Sequence, residues 1–217
     1  MSAITPTTRF TRGKLPHWEV ANGRYFVTVR CHDSLPTEVV ARLGEIHATL
    51  QSVIPQSPQF IALQRQYFQT MEKYLDAGHG EPWLARPEIA ALVTAEFLKL
   101  ESVGVAVPHF TLMPNHWHAL LIPASDCGLN LSQIMRAVKG RTARHINLAL
   151  NRSGTFWQRE WFDRWMRDDA EWARCVAYIR QNPVKAGLAS TWQEHPWTKY
   201  GGLQSAFRTG DFDPRAD

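Results

Sequence analysis

The spacing of apolar residues divides the chain into strands and helices. Arg24-Tyr25-Phe26-Val27-Thr28-Val29-Arg30-Cys31 alternates in β-rich residues and predicts a first strand. From about Thr37 to Val53 the period lengthens, with Leu43, Ile46, Leu50 and Val53 three or four apart, which predicts a helix. Pro55 and Pro58 break it, and a second helix is expected from about Ser57 to Asp76, carrying Ile61, Leu63, Phe68, Met71 and Leu75. After a Gly-rich loop, a third helix starts near Pro87 and runs to about Ser102, with Ile89, Leu92, Val93, Phe97 and Leu100 inward. Residues 105–112 and 116–123 read as paired strands joined by a Pro-Asn turn. A long helix follows from about Leu131 to Asn151, with Ile134, Val138, Ile146 and Leu150 inward. Gly140 in its middle costs about 1 kcal/mol against Ala, which implies a packing or ligand reason for it. The aromatic, basic stretch 156–166 reads as extended, and a last helix spans about 169–182, stopped by Pro183. The first 23 residues, with Arg9, Arg12 and Lys14, read as a partly ordered arm, and the tail after Gly187 as loop.

Composition narrows the class. The 217 residues suit one domain and are 44 % hydrophobic, enough for a substantial core. No run approaches the roughly 18 apolar residues of a membrane span, and the N-terminus lacks a signal-peptide core, so no membrane partner is expected. Cys31, Cys127 and Cys175 form neither a zinc spacing nor a disulfide framework, which suits a cytoplasmic setting. The net charge of +4 is uneven: residues 131–208 hold 13 Lys/Arg against 6 Asp/Glu. A basic half interleaved with tryptophan reads either as a polyanion surface or as a solvated face.

Candidate chemistry centres on Met113-Pro114-Asn115-His116-Trp117-His118. Residues two apart on a strand share a face, so His116 and His118 make half of a metal shell while Trp117 points the other way. Tyr178 and Asn182, four apart, lie on one face of the last helix. Each has an ordinary reading, a half-buried core tyrosine and a helix-ending asparagine. Together they propose a site of two imidazoles, an amide oxygen, a divalent metal and a phenol. Such a donor set suits Mg²⁺ or Mn²⁺, although a His pair also accepts zinc. A phenol attacking a phosphodiester would leave a phosphotyrosine and a free 3′-hydroxyl, storing the bond for rejoining.

MPNHWH with its flanking strands, then Lys139-Gly140, FWQREWFDRWMR and AYIRQNPVKAGL, resembles the REP-associated tyrosine transposases. These belong to the His-hydrophobe-His endonucleases. LPHWEVANGRYFVTVR and DAGHGEPWLARPEIAALV look like the same family, so the likeness spans most of the chain. It implies an α+β fold: an antiparallel sheet of four or five strands sandwiched by helices, with a ferredoxin- or RRM-like core. Residues 24–183 would form the catalytic core, with a helical insertion over about 37–102 and a C-terminal tail over 184–217, all one transposase domain. The likeness makes His116 and His118 metal ligands, Asn182 the third ligand and Tyr178 the nucleophile. It implies a partner, hairpin-forming single-stranded DNA of palindromic repeats, and nicking and joining of that DNA by a monomer or homodimer associated with the nucleoid. Arg136, Lys139, Arg141, Arg144, Arg159, Arg164 and Lys185 are the expected phosphate contacts, and Trp157 a stacking platform. Trp161 and Trp165 are expected in the core. Two other readings are a repeat-hairpin binder without turnover and a metal hydrolase of a small substrate in which Tyr178 is structural.

Overall fold

The computed structural model describes residues 7–12, 16–20 and 22–201. Its elements are β1 (Thr7–Arg12), β2 (Pro16–Val20), β3 (Arg24–Arg30), α1 (Thr37–Ser52), α2 (Pro58–Asp76), α3 (Pro87–Ser102), β4 (Val105–Ala106), β5 (His109–Met113), β6 (His116–Pro123), α4 (Leu131–Ala149), β7 (Phe162–Met166), α5 (Asp169–Lys185) and β8 (Thr198–Tyr200). The main sheet runs β7-β3-β6-β5-β8, with β4 also paired to β6, and every pairing is antiparallel. The expected mixed fold, an antiparallel sheet between helices, is therefore present, and it is wider than expected by β8.

Alternation along the strands assigns the two faces. Tyr25, Val27 and Val29 of β3 and Trp117, Ala119 and Leu121 of β6 join one core with α3 and α4. Phe26 and Leu120 face the other way, into a core shared with α1, α2 and α5. His116 and His118 have the parity of Leu120, so they face α2 and α5. Trp117 is fully buried on the opposite side, edge-on to Phe97 at 5.0 Å. α1 and α2 form a hairpin of their own over Ile46, Leu50 and Phe60.

Local chemistry fixes the helix ends. Ser57 caps α2, Asn130 and Gln133 form a reciprocal capping box on α4, and Asp168 caps α5 by accepting from the Glu171 N–H. Pro183 does not stop α5, which continues to Lys185. In the last turn its missing N–H forfeits one bond, and its carbonyl still accepts from Leu188 N at 2.8 Å.

Three expectations change. The arm contains a hairpin, β1–β2, whereas Lys14 and the end of the tail beyond Gly201 lie outside the described residues. The extended stretch 156–166 is a strand only over 162–166, with Trp157 making a lone bridge to Cys31. Gly140 is exposed, and a Cβ there would meet nothing within 4 Å, so packing does not require glycine.

Candidate metal and nucleophile site

The β5–β6 turn places the site. Asn115, at the turn, is 1 % exposed and uses its whole amide. Its Nδ2 donates to the carbonyls of Leu75 at 3.3 Å and His79 at 2.8 Å, clasping the end of α2. Its Oδ1 is thus left to accept from His116 Nδ1 at 2.7 Å. The proton of His116 therefore sits on Nδ1, and its Nε2 is a lone pair. That lone pair aims at His118 Nε2, 3.0 Å away. A shared proton or a cation between the two satisfies both. His118 is held by Thr28 Oγ1, 2.8 Å from its Nδ1, on the neighbouring strand β3. Both rings thus have an oxygen partner on the nitrogen turned away from the pair, the usual support of metal-binding imidazoles. Burial and the neighbouring His118 push His116 down to about 3, which keeps it a neutral ligand.

α2 closes the shell with Glu72. Its carboxylate is buried, its Oε2 lies 3.4 Å from His118 Nε2, and it accepts a hydrogen bond from the Tyr178 phenol. Ligand atoms of Glu72, His116 and His118 all lie within 4.8 Å of one another. Burial alone pushes the Glu72 carboxyl up, but His118, then His116 and the phenol hydrogen bond, outweigh it and hold the group below the usual carboxylate range. Tyr178 comes from α5, with its ring 5.3 Å from that of His118 and edge-on to Phe26 at 5.8 Å. Burial, the Glu72 charge and the hydrogen bond to it push the phenol well up. Asn182, one turn on, is 3 % exposed, and neither of its amide atoms finds a hydrogen-bond partner among the described residues. Glu72 Oε1 is likewise unpartnered.

These features fit a divalent cation. Two nitrogens about 2.1 Å from one ion at a right angle lie about 3.0 Å apart, which is the observed separation. The orphaned oxygens of Glu72 and Asn182 are what a hard cation would engage, and a buried polar atom left unpaired otherwise costs roughly 1–3 kcal/mol. His116 and His118 lie beside the Tyr178 phenol through Glu72, and Asn182 sits one helical turn beyond Tyr178 on α5. Glu72, Asn115 and Thr28 join them. Glu72 carried a sequence signal: it is a carboxylate on the apolar stripe of α2, between Phe68 and Leu75. Asn115 carried none beyond its place in the turn.

The expected cationic contacts divide. Arg136, Arg144 and Arg159 are solvent-facing and make no ion pair within 4.0 Å among the described residues. Lys139 is spent on the fold: its Nζ donates to the carbonyls of Gln158 at 2.8 Å and Arg159 at 2.5 Å and lies over the Trp161 ring, and burial pushes it down to about 8. Arg141 neutralises the buried Glu96. Arg164 pairs with Glu171, and Lys185 with Asp76 at 2.8 Å. Trp157 is 4 % exposed and donates Nε1 to Thr142 Oγ1 at 2.8 Å, so it is a core residue and its face is not open to a base. Trp161 and Trp165, expected in the core, are only partly buried. α4 also packs on the sheet face opposite the histidines, so Arg136 and Arg144 stand away from Tyr178.

No curated protein matches the chain. Among solved structures, a REP-associated tyrosine transposase bound to a REP hairpin is similar at 15 % identity and a TM-score of 0.52, over 84 % of this chain and 79 % of that one. A candidate transposase from Deinococcus radiodurans R1 is similar at 15 % identity and a TM-score of 0.31, over 78 % of this chain and 95 % of that one. The first shares the fold. The family described as IS200-like transposases matches residues 95–182. That stretch carries His116, His118, Tyr178 and Asn182.

Proposed function

We propose that this protein is a single-strand DNA transposase that binds hairpin-forming repeat DNA and cleaves and rejoins it through Tyr178. The observation that carries the reading is the meeting of the phenol, the paired imidazoles and the Glu72 carboxylate at one buried point. His116, His118 and Glu72, with Asn182 beside them, would hold Mg²⁺ or Mn²⁺. When bound, the ion would withdraw charge from a phosphodiester's non-bridging oxygens.

The residues themselves supply the rest. Tyr178 Oη forms the bond to phosphorus and the P–O3′ bond breaks, giving a 5′-phosphotyrosine and a free 3′-hydroxyl. The phenol already donates to Glu72 Oε2, so that carboxylate is the proton acceptor in reach. The leaving 3′-oxygen takes a proton from solvent. Rejoining is the reverse, with an incoming 3′-hydroxyl displacing the phenol. Asn115 and Thr28 fix the imidazoles, and Phe26, edge-on to the phenol, limits its swing. The protein acts in the cytoplasm on the nucleoid, and a single chain contains the whole site, so a monomer suffices.

The test is a labelled hairpin oligonucleotide with single-stranded flanks, incubated with Mg²⁺ or Mn²⁺ and run on a denaturing protein gel. The wild type should give a covalent protein–DNA band, and Tyr178→Phe should lose it while still binding the hairpin. Cleavage retained in Tyr178→Phe would refute the nucleophile. A second reading, binding without turnover, predicts hairpin binding with no covalent band under any divalent ion.

A further inference from the structure

Between α2 and α5 lies a cleft of about 430 Å³ that reaches the ring of Tyr178. Small-ligand sites measure roughly 300–1,000 Å³, so it admits a nucleotide unit and excludes a duplex. Three guanidinium groups line it, Arg65 from α2, Arg164 from β7 and Arg174 from α5, against one carboxylate, Glu171. Glu171 is committed to Arg164 and to the Arg167 N–H. Arg65 and Arg174 are exposed and make no ion pair within 4.0 Å among the described residues. The floor is aromatic: Phe68 and Phe162 lie 4.8 Å apart, and Phe68 stands 5.6 Å from Tyr178. Unpaired cations over an aromatic floor suit a single-stranded polynucleotide, with phosphates on the rim and bases on the rings.

We propose that the single-stranded flank carrying the scissile phosphate lies in this α2–α5 cleft, its phosphates held by Arg65 and Arg174 and a base packed on Phe68. The inference rests on the reading of the chain as a DNA-cleaving enzyme and adds the track by which the strand reaches Tyr178. It moves the contact surface near the nucleophile away from α4, whose arginines stand on the other face of the sheet. It also gives the α1–α2 hairpin a use. α2 lies outside the family-matched residues 95–182, yet it forms one wall of the track and contributes Glu72.

The test measures hairpin DNA with a single-stranded flank by fluorescence anisotropy across a salt series, for wild type, R65A/R174A, R65K/R174K and R136A/R144A. Each phosphate contact to a single strand contributes about 0.7 to the slope of log K against log salt. R65A/R174A should therefore flatten the slope by about 1.4, and R65K/R174K should restore most of it. The loss should vanish for a blunt hairpin without a flank. An unchanged slope in R65A/R174A, or a loss confined to R136A/R144A, overturns the inference even if the wild type binds and cleaves. A wild type that binds no hairpin DNA defeats the functional reading itself. Thermal melting of each variant excludes unfolding, which is not expected because Arg65 and Arg174 are exposed.

Discussion

Replacing Arg141 by alanine separates a structural cation from a DNA contact. Arg141 reaches from α4 to Glu96 on α3, whose side chain is 2 % exposed while that of Arg141 is 50 % exposed. Truncation leaves a buried carboxylate whose one remaining cation among the described residues is Lys99 Nζ at 4.0 Å. Breaking a buried pair from one side costs about 3–5 kcal/mol. Here the open Arg141 side lets water reach the orphan and Lys99 remains near, so about 2 kcal/mol is expected. For a domain of this size that lowers Tm by about 4–8 °C. Calorimetry on wild type, R141A, E96Q and R141A/E96Q checks it. The double variant should regain most of the R141A loss, because the neutral amide needs no counter-charge. Anisotropy with hairpin DNA should give the wild-type salt slope for R141A. A melting point within about 1 °C of wild type, together with a flatter salt slope, would refute the reasoning and return Arg141 to the DNA.

Asn115→Ala should weaken Mn²⁺ binding about 10–100-fold, read by electron paramagnetic resonance, because it frees His116 and unclasps the end of α2; unchanged affinity would rule out that role. Gly140→Ala should raise stability by about 1 kcal/mol at this open helical position, and a loss of hairpin affinity in the same variant would reveal DNA backbone close against α4. His17 gives a pH test. Burial pushes its imidazole down, but the Asp163 carboxylate and its hydrogen bond outweigh this and raise it above 6.5. The pair's contribution is then full below pH 6.5 or so and is lost as pH rises through the raised folded value. The melting-point gap between wild type and His17→Asn should therefore narrow from pH 6 to pH 8.5, and a constant gap would contradict it.

Elements were most legible where one period dominated. α1, α2 and α3 fall within a residue or two of their expected bounds because each shows a single apolar face, and β6, apolar on both faces, is bounded by the Pro114-Asn115 turn and Pro123. β8 was illegible because Thr198-Lys199-Tyr200 is short, and it becomes a strand only by pairing with His109–Thr111. Pro183 misled because a proline near a helix end forfeits little. The site's histidines, tyrosine and asparagine were legible as spacing on one strand and one helix. Glu72 was not drawn in, because which helix covers the histidine face is decided by sheet topology rather than by any local pattern. That Lys139, Arg141, Arg164 and Lys185 are paired within the fold was hidden for a related reason: a lysine that ties down a loop and one that awaits a phosphate have the same sequence signature.

The phenol and the carboxylate that holds it lie 106 positions apart. α5 is tied down by its Asp168 cap, by the pairs Arg24–Asp169 and Lys185–Asp76 on exposed ground, and by a short apolar seam through Ile179. Exposed pairs add little, so this helix can open at a smaller free-energy cost than the doubly covered sheet beneath it. Opening removes the nucleophile and leaves both imidazoles in place. On warming, cleavage should therefore cease before the fold melts, while hairpin binding outside the α5 track persists.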